Sequence, residues 1–199
     1  MSRGATIKKG IGGGGSVHTF QVKSINDMLL KLGWEVGQLQ RSHISKATDR
    51  LATSSYFAIN GALTAFHICE WIWHCGSESQ REIWGKGQRG GQPTKTNFQM
   101  HLRALCPSLS TCREIANSFK HYAADRYPDD TIKPASVWFT TMPAEVGIMR
   151  AGDALSADAA VLMISNGVGT VPVAHVLSVV HGFLDDFCER HGLVGDTDA

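Results

Sequence analysis

The chain has 199 residues, of which 43% are hydrophobic and 19% charged, with a formal net charge of +1. That length suits one domain with a full core and is short for two, while the near-neutral balance excludes the basic footprint of a dedicated duplex-DNA binder. No stretch reaches the roughly 20 apolar residues that cross a bilayer, the first residues are basic and then glycine-rich without a signal-like apolar run, and five cysteines (Cys69, Cys75, Cys106, Cys112, Cys188) lack paired C-x-x-C spacing. A soluble protein of the reducing cytoplasm is expected, with no membrane partner and no DNA-specific contact.

Residues 1–23 read as a flexible arm, because Gly12 to Gly15 followed by Ser16 is linker chemistry, native or engineered. Within it "VHTFQV" has the residue types of a short strand. Ser24 then offers an N-cap for "INDMLLKLGWEVGQLQRS", a helix that Gly33 and Gly37 should weaken. The strongest element is the proline-free run "HISKATDRLATSSYFAINGALTAFHICEWIWHC", residues 43–75. At about 100° per residue its second half is apolar over roughly 240° of arc, so it belongs inside a bundle as the central helix. The strip left over carries Thr53, Asn60, Thr64, His67 and His74, with Glu70 at its edge.

Residues 76–97 hold five glycines and a proline around one helical turn at "SQREIW", the composition of a mobile basic loop. Helical pattern resumes at "NFQMHLRALC", breaks at Cys106-Pro107-Ser108, and restarts with Ser110 as the N-cap of a 111–125 helix. After Pro128 come three short runs, "ASVWFTT", "EVGIMRAGD" and "DAAVLMISNG", parted by turn signals and read as a small antiparallel sheet; "AAVLMI" alone would also pass as helix. From Pro172, "VAHVLSVVHGFLDDFCERHG" is a closing amphipathic helix that Gly192 stops. The expected architecture is α+β: mainly an α-helical bundle with a small antiparallel β-sheet inserted before the C-terminal helix. The domain spans 24–193, the β insert 134–167, and a frayed tail follows from 194.

Chemistry concentrates on the 111–125 helix. Cys112, Ile115, Ala116, Phe119, Tyr122 and Ala123 define its buried side, and Arg113, Asn117, Lys120 and His121 recur at i, i+4, i+7 and i+8 on the other. Pattern alone describes the wet face of an amphipathic helix. The central helix raises a second reading, since polar groups surviving in a segment made for burial need partners. Asn60, Thr64 and His67 would find them if their strip faced Asn117 and His121 across a cleft, with Glu70 pairing to Lys120 or Arg113. A metal centre is a further alternative: His67, Glu70 and His74 fall at i, i+3 and i+7, and His121 would complete the set. Against it, His74 sits where a cation already favours the helix end. The five tryptophans (Trp34, Trp71, Trp73, Trp84, Trp138) read as core or interface anchors rather than an RNA-stacking platform. Residues 85–95 lack Walker spacing, so no cofactor is expected.

"AINGALTAFHICEWIWH" with the later "CREIANSFKH" resembles a widespread group of uncharacterised bacterial proteins, through His67, Glu70 and Trp71 and then Ala116, Asn117, Lys120 and His121. The second motif is similar to the signature of HEPN domains, helical bundles of bacterial toxins and phage-defence ribonucleases, in which an Arg, a polar residue, three further residues and a His form the active motif. Asn117-x-x-x-His121 matches its latter part, and Ala116 stands where the Arg would be. The resemblance implies a metal-independent endoribonuclease or RNA binder working as a homodimer. His121 would be the acid/base, Asn117 the orienting group, Lys120 and Arg113 the phosphate contacts, with Asn60, Thr64, His67, Glu70 and Trp71 lining the cleft. A different class of function, a non-catalytic interaction module with a buried polar network, fits the same residues.

Overall fold

Ser24 starts the first helix as its side chain predicts. Its Oγ accepts from the Asp27 N–H (3.1 Å), and Asp27 Oδ2 accepts from the N–H groups of Ser24 and Lys23, both at 2.9 Å. These bonds, that from Lys23 foremost, hold the Asp27 carboxyl below its ordinary pKa. Helix α1 (Ile25–His43) then runs unbroken through Gly33 and Gly37. The cost of about 1 kcal/mol per glycine is outweighed by burial of one apolar stripe, Ile25, Met28, Leu29, Leu32, Val36 and Leu39. Gly33 has a packing role: the His181 ring stands 3.2 Å from where a Cβ would lie, and His181 Nε2 donates to the Leu29 carbonyl (3.1 Å).

A computed structural model describes residues 21–43, 49–86, 91–120, 131–139, 159–166 and 168–194. After α1 come α2 (Arg50–Cys75), α3 (Glu78–Trp84), α4 (Lys95–Leu105), α5 (Ser108–Lys120), β1 (Ile132–Phe139), β2 (Ala159–Asn166), β3 (Thr170–Pro172) and α6 (Val173–Arg190). The α+β architecture, mainly helical with a small sheet before the last helix, is the one expected. Among the described residues no helix is long and apolar enough to cross a membrane.

Helix α2 is central, touching α1, α4, α5, α6 and β2. Its Ala58, Ala62, Ala65, Ile68, Cys69 and Ile72 are buried, which explains the wide apolar arc. Small residues let neighbours approach: Leu177 of α6 lies 2.8 Å from where a Gly61 Cβ would be. The helix begins at Arg50 rather than continuing from His43, which closes α1 instead.

Three boundaries differ from expectation. The 76–97 segment contains a capped helix, α3, in which Ser77 Oγ accepts from the Gln80 N–H (3.2 Å) and Gln80 Oε1 from the Ser77 N–H (2.8 Å). Residues 94–97 already belong to the start of α4, where Thr94 Oγ1 accepts from the Asn97 N–H. Helix α5 starts directly behind Pro107, whose fixed φ and missing N–H suit a helix start better than a later Ser110 cap.

The sheet has the order β1-β2-β3, all antiparallel. "AAVLMI" is strand, with Ala160 and Ile164 buried on the same side at period two. Asn166 turns the chain into β3, its Oδ1 accepting from the N–H groups of Val168 (3.2 Å) and Gly169 (3.0 Å). The expected strand "EVGIMRAGD" and the strand in "VHTFQV" up to Phe20 lie outside the described residues, and β3 holds the third place in the sheet instead.

Helix α1 also buries a titratable group at its end. His43 is buried, and among the described residues its Nε2 has no hydrogen-bond partner. Burial lowers its pKa, so the folded state resists the charge that the unfolded chain accepts below about 6.5. The stabilisation from a neutral His43 is therefore complete above that pH and is lost as pH falls through it. Urea midpoints measured from pH 7 to pH 5 should decline, and His43→Leu should flatten the slope by up to about 1.4 kcal/mol per pH unit. His191, shifted the same way by burial and then by Arg190, supplies a remainder. The Asp27 carboxyl acts only lower, as pH falls below its usual 3.8. An unchanged slope in the variant would remove His43 from this account.

Candidate functional site

Helix α5 carries the polar motif, and its core side is narrower than periodicity suggests. Leu109, Cys112 and Ala116 are buried at i, i+3 and i+7. Ile115 is only partly buried against the core, and Phe119, expected inside, is 64% exposed. The reason is the neighbour. Helix α5 rests on the small-residue face of α2, and a thin seam of Cys and Ala suffices there. Ile115 and Phe119 turn instead towards the sheet.

Ala116 is 1% exposed. The position at which the resembling motif carries arginine therefore points into packed core, with no room for a guanidinium. Arg113 and Asn117 are half-buried on the flank of the same helix. Arg113 lies 3.3 Å from the Glu114 carboxylate, and Arg103 of α4 is close to both. Burial first, then the positive charge of Arg113, lowers the Arg103 pKa, and Glu114 opposes them. Lys120 ends the helix, and His121 lies outside the described residues.

The strip on α2 does not converge on this helix as one unit. Thr64 is buried on the α1 side, where its Oγ1 accepts from Lys31 Nζ (2.6 Å), and the same ammonium pairs with Glu35. Asn60 is exposed. Glu70 pairs with Lys95 of α4 rather than with the expected Lys120 or Arg113. His67 and Trp71 are half-buried, Trp71 against the core, and His74 is exposed. A helix packed on several sides distributes its polar groups among all its neighbours, and a single wheel cannot tell which group meets which. Of the alternative metal set His67, Glu70, His74 and His121, the last lies outside the described residues. Among the described residues no group of three or more His, Cys, Asp or Glu could hold an ion.

Of the five free cysteines, Cys75 is exposed, while Cys69, Cys106, Cys112 and Cys188 are buried. Burial pushes all four thiols up, Cys69 and Cys188 to about 12, which leaves them protonated at neutral pH.

What the fold does build is a cleft of about 490 Å³ between α2, α5 and the sheet. Ser55, Ala58 and Ile59 form one wall, Glu114, Ile115, Ser118 and Phe119 the second. The floor is Ile132 to Ala135 of β1 with Leu162 to Ile164 of β2, and Val173 of α6 closes the end. Its polar groups are few. Ser55 Oγ is taken by the Leu51 carbonyl (2.8 Å), and Glu114 is engaged by Arg113. Lys133 is exposed, and its pairing with Ser165, next to the buried Ile164, turns its side chain to the face of β1 away from the helices. None of these lining residues was singled out from sequence as a site. The available signal was the excess of apolar arc on α2 over what a bundle needs, together with Ile115 and Phe119 one turn apart on α5.

Comparison with protein families, with curated proteins and with solved structures gives no match for this chain.

Proposed function

We propose that this protein is a non-catalytic binding module, a helical bundle whose inserted sheet holds open an apolar cleft for a ligand. The cleft carries the reading: its volume lies in the range of about 300–1,000 Å³ typical of ligand sites, with apolar walls and a few polar groups at the edge. Buried polar pairs fix the scaffold behind it. Lys31, Glu35 and Thr64 join α1 to α2, and the Ser42 and Ser54 hydroxyls meet at 2.7 Å. Such contacts set helix register. Two of the residues expected to line a catalytic cleft serve other partners: Thr64 takes Lys31, and Glu70 takes Lys95.

A neutral, environment-sensitive dye such as N-phenyl-1-naphthylamine tests this. Native protein should give a saturable fluorescence rise at one equivalent. Ser118→Trp, placed at an exposed lining position of α5, should abolish that rise without lowering the melting temperature. Absence of saturable binding by the native protein would remove the proposal.

A second reading, an RNA-acting protein of toxin or phage-defence type, keeps one supporting observation beyond its motif. Arg113 pairs with Glu114 (3.3 Å) one turn before Asn117, and Arg103 of α4 is near enough to feel both charges, an excess of positive charge suited to phosphate. Labelled RNA incubated with wild type and with His121→Ala decides it, since cleavage only by the wild type is required. Native mass tests the homodimer that this reading carries with it.

A further inference from the structure

Resting on the cleft as the binding site, we infer that its ligand is a neutral aliphatic alcohol whose hydroxyl donates to the Glu114 carboxylate. Size and lining call for an apolar body, because Ile59, Ile115, Phe119, Ile132, Pro134 and Leu162 border a volume of about 490 Å³. Glu114 selects the head group. It lines the cleft on the same side of α5 as Ser118, one turn on. The Lys133 side chain turns to the other face of β1, which leaves Glu114 as the charge of the lining among the described residues. Its side chain is only 12% exposed, so bulk water does little to satisfy it. Arg113 lies 3.3 Å from Oε1, while Oε2 has no hydrogen-bond partner among the described residues. Across the cleft, Ser55 has spent its hydrogen on the Leu51 carbonyl, so it too is left an acceptor. An ionised carboxylate accepts and cannot donate. An anionic head group would meet like charge there. A cationic one is not called for, because Arg113 already answers the Glu114 charge and Arg103 is near both. A hydroxyl supplies the donor that Oε2 lacks and brings no charge.

A hydrogen bond to a charged group in a partly dry site is worth about tenfold in affinity, and one to a neutral acceptor about threefold. The experiment is displacement of the neutral dye from full-length protein by decanol, nonyl methyl ether, decanoate and decylamine, below their solubility and micelle-forming limits. Decanol and the ether have the same carbon and oxygen atoms, but the ether cannot donate. Decanol should displace the dye about tenfold more tightly than the ether, and more tightly than either ion. Glu114→Gln keeps the shape and an acceptor without the charge, and should hold the ratio of decanol to ether at about threefold. Glu114→Leu removes the acceptor and should bring that ratio to about one. The ratio is taken within each protein, so a general change in the cleft cancels, and saturable dye binding by each variant verifies its fold.

An ether that binds as tightly as decanol, or a ratio that keeps its wild-type size in either variant, overturns Glu114 as the acceptor and leaves the cleft reading standing. Decylamine binding more tightly than decanol overturns the neutral head group in favour of a cation, and decanoate doing so overturns it in favour of an anion. Dye binding with no displacement by any of the four overturns the aliphatic ligand. No dye binding removes the cleft reading as well.

Discussion

Replacing Trp84 with alanine is expected to destabilise the protein by about 3–5 kcal/mol, read as a lower urea midpoint at constant m-value. Trp84 is 4% exposed and is the buried residue of α3. Its ring stacks on Phe98 (centroids 5.4 Å apart) and meets Phe187 (5.5 Å) and His191 (5.0 Å, edge-on). A seven-residue helix does not hold itself in water. Its other ties are the Ser77–Gln80 capping box, a bond from Gln80 Nε2 to the His191 carbonyl (2.9 Å), and bonds from the Thr94 N–H and Asn97 Nδ2 to the carbonyl of its C-cap Gly85 (both 3.1 Å). Removing the indole therefore opens a cavity between α3, α4 and α6 and also releases the helix that carried it. Gly76 supplies an internal check. A Cβ there would stand 2.6 Å from the Trp84 ring, although the Gly76 backbone (φ −61°, ψ 143°) is open to any residue. Gly76→Ala should thus be harmful in the wild type and nearly neutral in the Trp84→Ala background, a strongly non-additive pair. A Trp84→Ala loss below about 1 kcal/mol would mean that α3 is peripheral to the core.

The contrast between Trp84 and the polar strip shows what the sequence could and could not say. Helix α2 was legible because its signal is an average over 26 residues, and averages of apolar periodicity survive local error. The sheet was legible in type, because "AAVLMISNG" couples β-formers to an Asn turn. Pairings were not. Whether Glu70 meets Lys95 or Lys120 depends on where α4 is set down, and the 76–97 segment gives no hint of that because its geometry is fixed by one tryptophan. On α5 the error was a rotation. Ile115 and Phe119 fit a buried stripe as well as Leu109, Cys112 and Ala116 do, and only the small residues on α2 decide which set lies inside. The cleft follows from that same rotation, which is why apolar residues counted as core line the candidate site. The resembling motif was visible as letters, yet the orientation of Ala116 is a property of packing that the motif does not contain.

Lys31 illustrates the same point with energy attached, and its removal is expected to be about as damaging as that of Trp84. Lys31 and Glu35 look like an ordinary surface i, i+4 pair, of a kind that contributes about 0.3–0.5 kcal/mol. Packing of α1 on α2 changes their standing. Glu35 is 2% exposed, its Oε2 has no partner among the described residues, and Lys31 is the cation that answers its charge while also donating to Thr64. Lys31→Met strips the charge from one side only and leaves a carboxylate in the helix interface, at a loss of about 3–5 kcal/mol. Thr64→Val keeps the ion pair and removes one acceptor, so about 1 kcal/mol is expected. The double variant Lys31→Met/Glu35→Leu replaces the whole arrangement by apolar groups of similar size. It should return to within about 1 kcal/mol of wild type or exceed it, because the unmatched Oε2 disappears along with the pair. Urea titrations of the wild type and these three variants at pH 7 give the comparison directly. If Lys31→Met alone costs less than about 1 kcal/mol, the Glu35 carboxylate is reached by water and the α1–α2 interface is looser than its packing indicates. If the double variant stays as unstable as Lys31→Met, the pair itself, rather than the buried charge, is what α1 needs to hold its place against α2.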